Sequence, residues 1–136
     1  MAYEPQRCDV VTEDFARTFC ARYLEAWNSH EPARVLALAG DDVVWEDPTL
    51  PRGRAHGHAQ VGAWLASFWR AFPDMTFAFL DGDSHESADA IYLSAGGRRV
   101  AAPWRCRGTL LGTLDPGFAP TGAPVELISP PKTGRT

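Results

Sequence analysis

The chain has 136 residues, of which 45% are hydrophobic and 22% are charged, and its formal net charge is −4. This length and composition predict one globular domain, and the acidic balance argues against nucleic acid or an anionic membrane as a partner. No apolar run approaches the roughly 18 residues of a membrane span. The three cysteines are not closely spaced, which argues against a disulfide framework or a zinc site. Because residues 1–8 contain no hydrophobic signal region, we expect a cytoplasmic protein.

Three helices are predicted in the first half of the chain. Thr12 is a candidate N-cap for an amphipathic helix over residues 13–29, in which aromatic residues recur at every fourth position. Pro32 fits the first turn of a second, short helix. After a loop over residues 48–57, which is rich in Pro and Gly, the apolar spacing predicts a third helix over residues 58–72.

Strands dominate the second half of the predicted fold. A short strand that ends at Asp47 comes before the third helix, and later strands are predicted over residues 75–80, 90–95, 98–111 and 125–128. Pro103 lies inside one of these segments and predicts an edge position or a bulge there. Helices followed by antiparallel hairpins are the α+β pattern, with helices on one face of a curved sheet.

The domain organisation is simple. Residues 1–12 are predicted to be a flexible lead-in, residues 13–129 a single domain, and residues 130–136 a disordered tail. The sequence contains no visible internal repeat.

One acid stands out because of its place in the predicted sheet. If Val43, Trp45 and Asp47 share a strand face, the Asp47 carboxylate lies at the edge of an apolar surface. Lost solvation raises the pKa of a carboxyl group, so Asp47 is a candidate general base. The alternative is that Asp47, which precedes Pro48, is a turn residue that binds its own backbone.

Other polar residues also allow two interpretations. Tyr23 lies on the apolar stripe of the first helix, either as a core tyrosine or as an O–H donor to a developing enolate. Arg105 and Arg107 alternate on one strand face. They form either a solvated or dimer-facing stripe, or a pair in which one guanidinium enters a cavity and binds a carboxylate or enolate oxygen. His56 and His58 lack a third ligand at suitable spacing, so we predict no metal site.

Five segments carry a family resemblance by their order and spacing: ARYLEAWNSH at residues 21–30, DVVWEDP at 42–48, AFPD at 71–74, RGT at 107–109 and PTG at 120–122. Together they resemble the SnoaL-like polyketide cyclases of the nuclear-transport-factor-two-like superfamily. The resemblance implies a cone of curved, mostly antiparallel sheet closed by helices. It also implies a homodimer and a cofactor-independent ring closure of a hydrophobic, polyketide-like substrate.

The ketosteroid isomerases of the same superfamily are similar at Tyr23, Asn28 and Asp47. The resemblance implies that Tyr23 belongs to an oxyanion hole and that Asp47 shuttles the proton. The position of the second acid of that oxyanion hole is occupied by Arg105 here. The chain therefore lacks that acid, which argues against steroid isomerisation.

The chain also departs from the cyclase pattern. Leu110 stands where the cyclases have His, and residues 125–129 lack the Asp of the cyclase strand. The chain ends where the superfamily continues with a final strand, so we expect either a shortened sheet or an edge that a neighbour completes.

The predicted site uses Asp47 as the base, with Tyr23 and Arg105 stabilising the enolate and no metal or organic cofactor. Six further residues are predicted to line an apolar substrate pocket: Asn28, Trp45, Trp64, Phe68, Phe72 and Trp104. One alternative is an epoxide hydrolase or isomerase with Glu46 or Asp74 as a second acid. Another is a non-catalytic small-molecule-binding or dimerisation module.

Overall fold

The computed structural model describes residues 10–47, 50–81, 83, 85–87, 90–114 and 119–129. Within these residues the helices are α1 (Glu13–Ser29), α2 (Pro32–Leu36) and α3 (Gly57–Ala71). The strands are β1 (Val44–Glu46), β2 (Arg54–His56), β3 (Thr76–Phe79), β4 (Tyr92–Leu93), β5 (Val100–Ala101), β6 (Trp104–Thr109) and β7 (Pro124–Ile128). Their pairing is antiparallel, which confirms the predicted α+β class.

Both ends of α1 are set by local chemistry. The Thr12 hydroxyl oxygen accepts the N–H of Phe15 at 3.1 Å, which satisfies one of the free donors of the first turn. His30 ends the helix in the left-handed conformation, with φ of 62°, and its N–H donates to the carbonyl of Trp27. These caps confirm the helix predicted over residues 13–29.

β6 is the central strand of the β3-β6-β7 sheet. Its Cys106 lies opposite Phe77 on β3 and Leu127 on β7, and these three side chains face the core. Because side chains alternate along a strand, Arg105 and Arg107 lie on the other face of the sheet. The register therefore divides β6 into a core face and an outer face.

The prediction of one long strand over residues 98–111 is wrong. The structure has two strands there, β5 and β6, which Pro103 separates. Proline has no N–H to donate to a ladder, so the strand is interrupted at Pro103. The Pro103 carbonyl still accepts the N–H of Leu80 at 2.8 Å. Among the described residues the strands form three separate ladders, β1-β2, β3-β6-β7 and β4-β5.

The predicted loop over residues 48–57 also contains regular structure. A 3-10 turn at Pro51–Gly53 leads into β2, which pairs with β1 to form a hairpin. Only Ala55 of the three β2 residues is buried. A strand of this length is too short for its alternation to be recognised in the sequence.

The core lies between the helices and the inner face of β3, β6 and β7. The apolar stripe of α3 supplies much of it, and Leu65 and Ala71 have no exposed surface. Leu110, at the position where the resemblance implied histidine, is also a core residue.

The predicted lead-in and tail fall largely outside the described residues, which begin at residue 10 and end at residue 129. Val11 is described, and its N–H donates to the carbonyl of Gly97. Among the helices that the structure describes, none combines the length and the apolarity needed to cross a membrane.

Candidate active site

The interior is filled by a cluster of aromatic side chains that we call the aromatic cluster: Trp27, Trp45, Trp64, Phe68, Trp69, Phe72 and Phe77. Trp27 lies at its centre, with ring centroids 5.0 Å from Phe77 and 5.3 Å from Trp45. These distances and the tilted ring planes are in the favourable range for aromatic pairs. The cluster joins α1, the β1-β2 hairpin, α3 and β3.

Tyr23 borders this cluster from α1. Its ring centroid is 6.1 Å from that of Trp27, in an edge arrangement. Burial raises the pKa of the Tyr23 phenol to about 12, and the Trp27 side chain acts against that shift. Tyr23 therefore remains a protonated donor at ordinary pH and is unsuited to act as a base.

A line of stacked rings connects Tyr23 with the surface. Phe15 is 56% exposed, and its ring stacks on Phe19 with centroids 5.8 Å apart. Phe19 stacks on Tyr23 at the same distance. The aromatic face of α1 is thus continuous from solvent to the aromatic cluster.

Asp47 is positioned by the β1-β2 hairpin. Its N–H donates to the carbonyl of Gly53 at 3.1 Å, and its carbonyl accepts the N–H of Leu50 at 3.0 Å. Val43 and Trp45, on the same side of the strand, pack against the core. Asp47 is half-buried, one residue beyond the strand end.

The charge of Asp47 acts on a buried thiol of the central sheet. Cys106 is only 1% exposed. The pKa of its thiol is raised to about 12, mainly by burial; the Leu127 backbone opposes this rise and the Asp47 carboxylate adds to it. Cys106 lies on the core face of β6, the face on which the aromatic cluster lies.

The predicted pocket residues are packed against one another. Trp64, Phe68 and Phe72 belong to the core, and Trp45 and Trp104 pack against it. Two surface hollows, of about 240 and 200 Å³, lie elsewhere. The first is lined by Glu13, Ala16, Arg17, Ile91 and Leu93, and the second by Arg22, Glu25, Ala26, Arg34, Ala37 and Leu38. A pocket beside Asp47 stays a prediction.

Asn28, also predicted to line the pocket, binds the backbone of β3. Its side-chain oxygen accepts the N–H of Phe77 at 2.8 Å, and its side-chain nitrogen donates to the Phe77 carbonyl at 3.1 Å. His30 adds a contact of 2.6 Å between its Nε2 and the carbonyl of Met75, and its ring stacks on Trp69. These two residues dock the end of α1 on the edge of β3.

Arg105 is not brought to Tyr23 and Asp47. It lies on the outer face of β6, where its guanidinium forms ion pairs with Glu86 and Glu126. Glu126 also pairs with Arg107 at 3.0 Å. The register of β6, which places Cys106 in the core, is the reason that Arg105 points away from the aromatic cluster.

A search of curated protein sequences finds no match to this chain. A sequence profile of the SnoaL-like domain matches residues 20–134. The chain belongs to the SnoaL-like domain family.

Solved structures with this fold come from several bacteria. AclR, a candidate hydroxylase from Streptomyces galilaeus, has a TM-score of 0.62 at 19% identity over 85% of this chain, which spans 66% of AclR. A candidate polyketide cyclase from Pseudomonas putida has a TM-score of 0.59 at 20% identity, covering 83% of this chain and 76% of its own. A SnoaL-like protein of unknown function from Burkholderia thailandensis has a TM-score of 0.52 at 22% identity, and the match covers 89% of this chain and 99% of that protein. At these identities the likeness shows the fold alone.

Two of the segments that resemble the SnoaL-like family meet in the structure. The Asp74 carboxylate accepts the N–H and the hydroxyl of Thr109, each at 2.8 Å, and these bonds lower the pKa of Asp74. A Cβ at Gly108 would lie 3.1 Å from Met75, so the glycine permits the close approach. This pair joins the segment after α3 to the end of β6, and a role of Asp74 as a second acid stays a prediction.

The other candidate acids and histidines lie outside the aromatic cluster. Glu46 pairs with Arg54 across the hairpin at 2.6 Å. Among the described residues, Asp81, Asp83 and His85 have ligand atoms within 4.8 Å of one another on an exposed turn. That turn is the place where a cation could be held, and it is separate from Tyr23 and Asp47.

The sequence interpretation did not identify Trp27, His30 or Cys106 as parts of this region. Trp27 follows Tyr23 by four residues, so the helical period signalled that the two share a face. His30 and Cys106 carried no comparable local signal, because their contacts depend on the register of β3 and β6.

Proposed function

We propose that this SnoaL-like protein catalyses an intramolecular, aldol-type ring closure of a hydrophobic, polyketide-like substrate. The observation that carries the proposal is the position of Asp47, which is half-buried at the end of the strand whose Trp45 packs against Trp27 of the aromatic cluster. Tyr23 borders the same aromatic cluster. A base and a hydrogen-bond donor beside an apolar interior are the groups that enolate chemistry requires.

In the proposed reaction one carboxylate both removes a proton from the substrate and returns it. Asp47 would take a proton from a carbon next to a substrate carbonyl, and the Tyr23 hydroxyl would donate a hydrogen bond to the enolate oxygen. The enolate carbon would then attack a second carbonyl of the same chain and form a carbon–carbon bond. The resulting alkoxide would recover the proton from Asp47. Only protons move between protein and substrate, so these steps require no metal or organic cofactor.

The family fold supports the proposal without selecting the reaction. Its relatives include a candidate cyclase from Pseudomonas putida and a candidate hydroxylase from Streptomyces galilaeus. Because one fold carries both assignments, the choice depends on the site residues. Holding both carbonyls of a flexible chain in contact makes the reaction intramolecular, which is where much of the rate enhancement would arise. The stacked rings of Phe15 and Phe19 give an apolar approach to Tyr23.

The test is the Asp47→Asn variant, assayed with a series of linear poly-β-ketone thioesters and compared with wild type. We expect ring closure to slow by about 100-fold or more, the usual cost of losing a general base. Thermal unfolding checks that folding is unchanged. The matched control is Glu46→Gln, whose carboxylate lies on the exposed face of the same strand and should leave the rate unchanged. An Asp47→Asn variant with full activity would eliminate the mechanism.

A second candidate function is a non-catalytic small-molecule-binding or dimerisation module. The observation in its favour is that Trp64, Phe68 and Phe72 are packed together in the core. A bound apolar ligand with no turnover in the wild type would support this function over the cyclase.

We also propose that the SnoaL-like protein acts as a homodimer through the outer face of the β3-β6-β7 sheet. Ile128 is 56% exposed there, next to alternating basic and acidic side chains. A surface with both charges and an apolar residue can be complementary to a second copy of itself.

A further inference from the structure

Three indole N–H groups are buried in the aromatic cluster without a hydrogen-bond acceptor among the described residues. They belong to Trp27, Trp64 and Trp69, which are 8%, 8% and 5% exposed. A buried donor without a partner is destabilising because it has lost its hydrogen bonds to water, and native structures contain few such groups. Three of them in one cluster indicate that the interior is suited to an oxygen acceptor that the described part of the chain does not supply.

Trp27 is the best placed of the three donors. Its ring lies against both Tyr23 and Trp45, and Trp45 precedes Asp47 by two residues on the same strand face. The Trp27 side chain also opposes the rise in the pKa of the Tyr23 phenol, so the indole lies close to the phenol, although its N–H forms no hydrogen bond of good geometry there. Trp69 lies towards the end of α1, where His30 stacks on it.

We infer that Trp27 is a second hydrogen-bond donor of the proposed site, with its indole N–H binding the same substrate oxygen as the Tyr23 hydroxyl. The inference rests on the proposed function. It assigns to Trp27 the place that the resemblance gave to Arg105, which lies on the outer face of the sheet. The ligand class is an apolar molecule with an enolate, phenolate or polarised carbonyl oxygen.

The physical basis is the difference between a neutral and a charged acceptor. A hydrogen bond to an ionised oxygen is about twice as strong as one between neutral groups, and it gains further in a site without water. No hydrogen bond of good geometry from the Trp27 N–H to a described acceptor has to be broken when the oxygen arrives. Trp27 would therefore stabilise the enolate more than the starting ketone, which is the condition for catalysis.

The experiment measures the binding of 4-nitrophenol, whose ionised form has its own absorption band. It is performed in the Asp47→Asn variant, which removes the carboxylate that would repel the phenolate and makes the result independent of the general base. Replacement of Trp27 by 3-benzothienylalanine keeps the ring shape and substitutes sulfur for the N–H. We expect the affinity for the phenolate to fall roughly 10-fold or more, as for the loss of a bond to a charged group, with a smaller change for the phenol.

The same replacement at Trp69 is the matched control, because it removes an equally buried N–H farther from Tyr23, and it should leave both affinities unchanged. Thermal unfolding confirms that each protein is folded. Loss of phenolate affinity at Trp27 alone supports the inference. Unchanged affinity at Trp27, or an equal loss at Trp69, overturns it.

Tyr23→Phe, in the same Asp47→Asn protein, separates the inference from the proposed function. A loss of phenolate affinity in Tyr23→Phe without one at Trp27 overturns only the inference. If neither change affects binding, the inference falls and so does the role of Tyr23 as a donor. The role of Asp47 is judged independently, by the turnover of Asp47→Asn with thioester substrates.

Discussion

At the scale of single residues, Tyr23 and Asp47 have different surroundings. The Tyr23 phenol is mostly enclosed by apolar groups, which raises its pKa to about 12. Asp47 lies one residue past a strand end, where it keeps partial contact with solvent. A phenol that stays protonated at neutral pH is suited to the proposed role of Tyr23 as a hydrogen-bond donor to an enolate oxygen.

This environment predicts a specific alkaline response. The pKa of Tyr23 is raised from 10.0 to about 12 on folding, so the folded state retains a proton that the unfolded state loses. The stability that this supplies is fully present below pH 10 and is lost as the pH rises through about 12, at a slope of up to about 1.4 kcal/mol per pH unit. Urea unfolding across this range should show a smaller loss of stability in Tyr23→Phe than in wild type.

The control for this experiment is Tyr92→Phe, because the Tyr92 side chain is 39% exposed. Its stability should follow the wild-type pH dependence. Equal slopes in wild type and Tyr23→Phe would mean that the phenol is solvated in the folded protein, and the donor role would lose its physical basis.

At the scale of elements, the end of α1 is held on the edge strand β3 by side chains. Asn28 pairs with both backbone groups of Phe77, as a neighbouring strand would. This arrangement covers part of a sheet edge. It also holds the helix that carries Tyr23 and Trp27 in a fixed position relative to the sheet.

We therefore expect Asn28→Ala to act on stability. Loss of two hydrogen bonds at about 1 kcal/mol each predicts a decrease of roughly 2 kcal/mol in the free energy of unfolding. The amide hydrogen of Phe77 should exchange faster with solvent in the variant, measured by NMR. Arg22→Ala, on an exposed position of the same helix, is the control. A variant with unchanged stability but lost ligand binding would instead support the predicted role of Asn28 as a pocket residue.

At the scale of the whole molecule, the sheet separates two surfaces with different chemistry. The inner face carries the aromatic cluster and the proposed site. The outer face carries Arg105, Arg107 and Glu126, with Ile128 exposed beside them. Because successive β6 side chains alternate between these faces, each residue of this strand serves one surface or the other.

The homodimer proposal makes a prediction about this outer face. A charged residue in place of Ile128 would have to be desolvated at the interface, so Ile128→Asp should dissociate the dimer. Sedimentation velocity on wild type and variant measures the change in mass. Val44→Asp is the control, because Val44 is 49% exposed on the β1-β2 hairpin and should remain dimeric. Wild-type protein with the mass of one chain would contradict the proposal.

The sequence by itself determined the elements whose signals are local. A threonine cap, a four-residue aromatic repeat and a proline in a first turn define α1 and α2, because helical hydrogen bonds and helix faces connect near neighbours in the chain. The order of the segments that resemble the SnoaL-like family also indicated the family and the α+β class. The candidate base Asp47 was identified from the same local pattern, and its catalytic role stays a prediction.

Only the tertiary structure decided which residues meet. The register of β6 against β3 and β7 placed Cys106 inwards and Arg105 outwards, and a shift of one residue would have reversed them. Asn28 found its partner 49 residues away on β3, and Trp27 was left with a buried N–H by the packing of rings from four elements. These outcomes depend on contacts between distant segments, whose geometry no local sequence pattern specifies.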